Sequence, residues 1–146
     1  MKKTPEFLSL DTHTCFRLYL ASKSIIQAYS VHLKTLDLTY PQYLVMMVLW
    51  ESEPLSVKDL GARLYLDSGT LSPLLKKLQE KNYVDKVRSS EDERSVLVSL
   101  TVTGKKLKDK TVQVQSTMRS AVCFTDESLG ELNTMLDDFT ASIQQN

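Results

Sequence analysis

The stretch Leu66-Asp67-Ser68-Gly69-Thr70-Leu71-Ser72-Pro73-Leu74-Leu75-Lys76-Lys77-Leu78 constrains this chain most. Leu71, Leu74, Leu75 and Leu78 recur at i, i+3, i+4 and i+7, which gathers all four on one face of a helix. Ser68, Gly69, Thr70, Ser72, Lys76 and Lys77 are left on the outward side. Asp67, Ser68 or Gly69 can cap the start, and Pro73 falls in the first turn or just beyond, where few backbone bonds are lost. Leucines inward with hydroxyls and lysines outward suit a DNA major groove, because hydroxyls reach phosphates and base edges and lysines reach phosphates. An ordinary amphipathic surface helix has the same pattern, so the flanking stretches must decide.

On the N-terminal side, Ser56-Val57-Lys58-Asp59 starts a helix as a capping-box variant with Asp in place of Glu. Val57, Leu60 and Leu64 form its inner face, Gly61 allows a close approach, and the helix ends near Tyr65. Helix, short turn, helix is the helix-turn-helix arrangement. On the C-terminal side the period changes after Asn82. Tyr83 to Arg88 reads as a strand, and Val96, Val98 and Leu100 alternate with Leu97 and Ser99 as a second. The polar tip between them, Ser89 to Ser95, placed directly after the leucine-faced helix, reads as a wing.

The remaining segments read as helices. One runs from about Asp11 to Leu36, capped by Asp11 or Thr12. A second starts at Leu38-Thr39-Tyr40-Pro41-Gln42, with Thr39 as cap and Pro41 in the first turn. Its continuation Tyr43 to Trp50 is apolar all round, the mark of a buried central helix. Glu53-Pro54-Leu55 breaks the chain. Thr101 or Thr103 opens a helix reaching toward Cys123, and Thr125-Asp126-Glu127 caps the last. There Leu129, Leu132, Leu136, Phe139 and Ile143 make a short heptad-like seam, suited to dimerisation.

At 146 residues the chain is read as one domain, residues 1–146. The expected class is mainly α with a small β wing, a winged helix-turn-helix. Residues 1–36 and 104–146 supply dimerisation helices, and residues 37–103 the winged-helix DNA-binding lobe. Four glycines and four prolines agree with long helices and short loops. Formal net charge is zero, so composition alone carries no nucleic-acid signal. The chain has no apolar run long enough to span a bilayer and no signal-peptide pattern, so a cytoplasmic location without membrane association is expected. The two cysteines, Cys15 and Cys123, form no CxxC or Cys/His cluster, so no metal and no cofactor is expected.

The order of elements resembles the MarR family of winged-helix transcription regulators over nearly the whole chain. Four motifs are similar to its organic-hydroperoxide-sensing, OhrR-like branch: Cys15-Phe16 followed by Leu18-Tyr19, Leu38 to Tyr43, Tyr65 to Leu71, and Asp92-Glu93-Arg94-Ser95. The resemblance implies a homodimeric repressor on double-stranded operator DNA. Its N-terminal cysteine would sense an organic hydroperoxide or hydrogen peroxide. It also implies that Arg94 enters the minor groove with Asp92 holding it, Arg being the residue that a narrow, electronegative groove attracts.

Cys15 sits near the start of the first helix, where negative charge is favoured. Tyr19 and Tyr29 lie within about 40° of it around the helix. A phenol hydroxyl donates to a thiolate and so favours it, and a thiolate attacks peroxide to become a sulfenic acid. Yet Cys15 and Tyr29 are ~21 Å apart along one continuous helix and cannot meet within a chain. The resemblance implies that they meet across a two-fold axis, Tyr19 and Tyr29 of one subunit facing Cys15 of the other, with Tyr40 a weaker candidate at the same pocket. It further implies that some relatives close an intersubunit disulfide to a second cysteine near the C-terminus. Cys123 lies in that region, but Ala121 to Thr125 matches no motif, and an idle thiol stays open. So does the reading of Cys15 as a small buried hydrophobe.

Two other functions compete. A MarR-type regulator can answer to a small phenolic ligand without any cysteine. A thiol peroxidase would use Cys15 as nucleophile, but His13 and His32 have no catalytic context, so the chain is not read as an enzyme.

Overall fold

Asp67 opens the helix that the sequence singles out. In the computed structural model, which describes residues 8–90 and 95–144, its carboxylate accepts from the Thr70 amide at 2.7 Å, and α4 runs Ser68–Glu80. Leu71, Leu75 and Leu78 are fully buried and Leu74 half-buried, so the leucine face points inward as read. Pro73 lies in the second turn and leaves the Gly69 carbonyl without an i+4 donor.

The earlier helices follow from their caps. A 3-10 turn, Leu10–Thr12, precedes α1, Thr14–Leu33, and a second, Lys34–Leu36, follows it. The expected single helix from Asp11 to Leu36 is therefore shorter and tightened at both ends. Its cap is neither Asp11 nor Thr12: the His13 ring nitrogen Nδ1 accepts from the Phe16 amide at 3.2 Å. Helix α2, Tyr40–Glu51, starts on a full capping box, Thr39 with Gln42, with Pro41 in the first turn. It buries Gln42, Tyr43, Val45, Met46, Val48 and Leu49, as its all-round apolar sequence requires. Helix α3, Val57–Leu64, is capped by the Ser56 hydroxyl, which also donates to the Asp59 carboxylate at 2.6 Å in place of the usual reciprocal bond.

Strand β1, Leu55–Ser56, was not anticipated, because two residues beside Pro54 carry no periodicity. Among the described residues the sheet is antiparallel in the order β1-β3-β2, with β2 Val84–Arg88 and β3 Val96–Leu100. Val84 pairs with Leu100 and Arg88 with Val96. The tip residues 91–94, including Asp92 and Arg94, lie outside the described residues. Glu53 anchors this sheet: its carboxylate accepts from the Leu100 amide and pairs with Lys105 at 2.9 Å.

Helix α5, Val102–Ala121, is capped by the Thr101 hydroxyl at the Gly104 amide, 2.9 Å. Helix α6, Asp126–Gln144, is capped by Thr125 at the Ser128 amide, 3.2 Å. The chain divides into two compact units, residues 1–115 and 116–146. In the first, α2, α3 and α4 pack on one another and on the sheet. In the second, Arg119 pairs with Asp126, and none of the α6 residues is buried within the single chain.

Gly61 sits where α3 meets the turn, and a Cβ there would lie 2.7 Å from the Leu66 carbonyl oxygen. Backbone cannot retreat as a side-chain tip can. Gly61→Ala is expected to destabilise the fold by about 1–3 kcal/mol. Urea unfolding at fixed protein concentration checks this: the midpoint should fall while the slope stays unchanged.

Candidate DNA-reading surface and tyrosine site

Two surfaces carry chemistry. The first is the outward side of α4. Ser68, Gly69, Thr70, Ser72, Lys76 and Lys77 are all exposed there, together at the helix start and along one side. The Thr70 amide holds the Asp67 carboxyl below the usual carboxylate range, so the cap stays ionised at neutral pH. The α3–α4 turn is tight because Tyr65 takes a left-handed conformation, φ 54°, and its ring is left 80 % exposed beside the start of α4. The β2–β3 hairpin stands next to this helix, and a groove of about 690 Å³ runs between them, with Ser68 and Ser72 on one wall and Lys86 and Ser95 on the other.

The second surface involves α1 and α2. Cys15 is the second residue of α1 and exposed, and Cys123, just before α6, is exposed too. Tyr19 is 60 % exposed, its ring stacked on Phe16 at 6.4 Å with the Lys23 ammonium 5.9 Å above it. Helix α1 is uninterrupted between Cys15 and Tyr29, so those two stay ~21 Å apart within one chain. The rings of Tyr29 and Tyr40 meet, their centroids 5.0 Å apart. Tyr19 does not join them in the single chain.

Two residues that the sequence reading missed complete this site. Tyr43 packs on Tyr29 at 5.8 Å and Tyr40 at 6.3 Å, and is 1 % exposed. From α5, Gln115 accepts from the Tyr29 hydroxyl at 3.1 Å through Oε1, while its Nε2 donates to the Tyr43 hydroxyl. The Tyr40/Tyr43 spacing of three could have flagged a shared helix face. Nothing local flags Gln115, which is 86 residues from Tyr29. Burial pushes all three phenols up, Tyr43 to about 12, with Tyr29 adding to that rise and the Gln115 bond opposing it. They therefore remain neutral donors at any physiological pH.

Fold and site together define a MarR-type winged-helix, DNA-binding transcriptional regulator. Residues 27–111 match the family described as transcriptional regulator SarA/Rot. The chain belongs to that family and, among the MarR-type regulators, to the OhrR/SarZ branch. It is 40% identical over 145 residues to the organic hydroperoxide resistance transcriptional regulator of Bacillus subtilis strain 168, covering 99% of each chain. It is 39% identical over 139 residues to SarZ of Staphylococcus saprophyticus, covering 94% of this chain and 95% of that one. Among solved structures it is similar to AbfR of Staphylococcus epidermidis, at TM-score 0.78 and 30% identity over 92% of this chain and 94% of that one. AbfR is known reduced and bound to DNA (TM-score 0.79, 29% identity, 92% and 94% covered) and in a disulfide form (0.67, 31%, 90% and 92%). Among the described residues, no helix is long and apolar enough to cross a membrane.

The tyrosine site predicts a pH dependence. A phenol held above its ordinary value of 10.0 binds its proton more tightly folded than unfolded. The stability this contributes is fully present below about pH 10 and is lost as pH rises toward about 12. Between pH 9 and pH 11 the urea midpoint of the wild type should fall, and that of Tyr43→Phe should fall less. An equal fall in both would remove Tyr43 as the source.

Proposed function

We propose that the protein is a homodimeric repressor whose operator binding is switched off by peroxide through Cys15. The observation that carries the reading is the disposition of α1. It presents an exposed cysteine at its second position, and ~21 Å further along nearly the same face it presents Tyr29, paired with Tyr40. Two such helices crossing about a two-fold axis would bring each cysteine to the other subunit's tyrosines. The exposed apolar stripe of α6, Leu132, Leu136 and Ile143, and the exposed Leu20, Ile25 and Ile26 spread around α1 support a dimer, since so much apolar surface is rarely left in water. The likeness to a regulator of organic hydroperoxide resistance supports the choice of signal.

In this reading the Cys15 thiolate attacks one peroxide oxygen. The O–O bond breaks, the sulfur becomes a sulfenic acid, and an alcohol or water leaves. The Cys123 thiol of the other subunit then condenses with it, forming the S–S bond and releasing water. Drawing a C-terminal helix toward the partner's first helix would rotate the recognition helices away from the ~34 Å spacing of successive major grooves. A disulfide form of the similar AbfR supports the trapping step. On DNA, Ser68, Gly69, Thr70 and Ser72 face the major groove, Lys76 and Lys77 the phosphates, and Arg94, held by Asp92, the minor groove.

Cys15→Ser should stay on operator DNA in peroxide, measured by fluorescence anisotropy. Cys123→Ser should still release DNA but form no dimer-sized band on a non-reducing gel. Release by oxidised Cys15→Ser would overturn the sensing role. Monomer-only bands from released wild type would overturn the resolving role of Cys123.

Arg94→Ala should weaken operator binding by about 1–3 kcal/mol at fixed salt without altering the fold. Lys76→Ala and Lys77→Ala should each weaken binding to all sequences and reduce the slope of log affinity against log salt by about one.

A second reading has one observation in its favour. The groove between α4 and the hairpin has Lys58 and Lys86 on its lining, two cations that would favour an anion such as a phenolate or carboxylate. DNA release by such an anion from Cys15→Ser would establish it. Continued turnover of peroxide over many equivalents per subunit would instead indicate a peroxidase.

A further inference from the structure

We propose that Gln115 is a positioning residue for the sensor: its terminal amide decides whether Tyr29 has a proton to offer the sulfur of Cys15 of the partner subunit. This rests on the cross-subunit reading above.

A phenol has one proton. Here Tyr29 spends it on Gln115 Oε1, at 3.1 Å, while Gln115 Nε2 donates to Tyr43 and lies 3.9 Å from the Met47 sulfur. In that state Tyr29 can only accept. A thiolate also only accepts, so the two cannot bond. Turning the amide over about its Cγ–Cδ bond reverses the chain. Tyr43 then donates to Oε1, Nε2 donates to the Tyr29 oxygen, and the Tyr29 proton is released toward the sulfur. A hydroxyl that is itself accepting is a stronger donor. Both orientations bond both tyrosines; the observed one adds the weak Nε2–H bond to the Met47 sulfur, so turning the amide over costs that one contact and the amide is a two-position element.

The surroundings hold this element in register. Tyr43 is buried at 1 % exposure and fixes one end. The Tyr29 ring packs against both Tyr40 and Tyr43, which touch each other as well, and this three-ring contact holds its hydroxyl at Gln115. The arrival of the partner's α1, with an accepting sulfur, would favour the turned-over amide. Sensitivity to oxidant would thus be set from α5, by a side chain that touches neither peroxide nor cysteine.

The test compares Gln115→Glu and Gln115→Leu in the full-length dimer. An ionised Glu accepts from both tyrosines and donates to neither, so it locks the Tyr29 proton away from the sulfur. Leu removes the competing acceptor. The readout is the rate of iodoacetamide alkylation against pH, followed at the Cys15 peptide by mass spectrometry, with far-UV circular dichroism and sedimentation as checks on fold and dimer.

Gln115→Glu should move the midpoint of the pH profile upward and slow alkylation at neutral pH, by about tenfold for each pH unit of displacement. Gln115→Leu should move it the other way. Both displacements should vanish when Tyr29→Phe is also present. If Tyr29→Phe alone leaves the profile unmoved, the cross-subunit reading fails and this proposal with it. If Tyr29→Phe moves the profile but neither Gln115 variant does, Gln115 alone is overturned. Displacements that persist unchanged in the Tyr29→Phe background overturn it too, since they would not act through the phenol. Should Gln115→Leu fail to fold, Gln115→Glu with and without Tyr29→Phe still decides the matter.

Discussion

Burial of the α4 leucines governs this molecule. Leu71, Leu75 and Leu78 have no exposed surface, and each such side chain is worth about 1.5–3 kcal/mol of transfer out of water. Rotating α4 to present another face would expose all three and bury Lys76 or Lys77 instead. The hydroxyls and lysines are therefore held outward by the same energy that closes the core. Asp67 then sets where the helix begins, and the left-handed Tyr65 sets how sharply the chain turns into it. Gly61 lets the turn and Leu71 approach α3 closely.

The sheet extends this frame. Strand β1 contributes only two residues, yet its pairing with β3 ties the start of α3 to the wing hairpin. Glu53 does the same with charge, holding the Leu100 amide and Lys105 together. Surface ion pairs are worth little in isolation. This one also satisfies a backbone donor at the end of a strand, which gives it a structural task that Arg63 with Glu51, on an exposed helix surface, lacks.

The tyrosine cluster shows how chemistry attaches to such a frame. Tyr29 comes from α1, Tyr40 and Tyr43 from α2, and Gln115 from α5. Burial keeps the phenols protonated, so they can act only as neutral hydrogen-bond partners. Two hydroxyls and one amide share a limited number of protons, and the direction in which those protons point is the only freedom left. A site of this kind responds to what docks against it. The exposed apolar surface of α1 and the apolar stripe of α6 are where a second subunit is expected.

The sequence by itself determined what local periodicity and capping can specify. The leucine spacing in α4, the Thr39 cap, the all-round apolar α2 and the alternation of β3 each fold by short-range rules, and each is found where it was read; the Gln42 half of the Thr39 box was not read. The contact of Tyr29 with Tyr40 joins α1 to α2 and was not read from the sequence; the family resemblance implied only that both belong to a sensing pocket. The first helix was read too long, because apolar spacing does not distinguish 3-10 from α at its ends, and a histidine cap competes poorly with Asp in any sequence rule. Strand β1 was invisible because two residues have no period. Tyr43 was legible only as core. Its hydroxyl matters because α5 brings Gln115 against it, a contact spanning 72 residues. Which atoms share a proton across such a distance depends on how helices pack, and packing is a property of the whole core rather than of any segment in it.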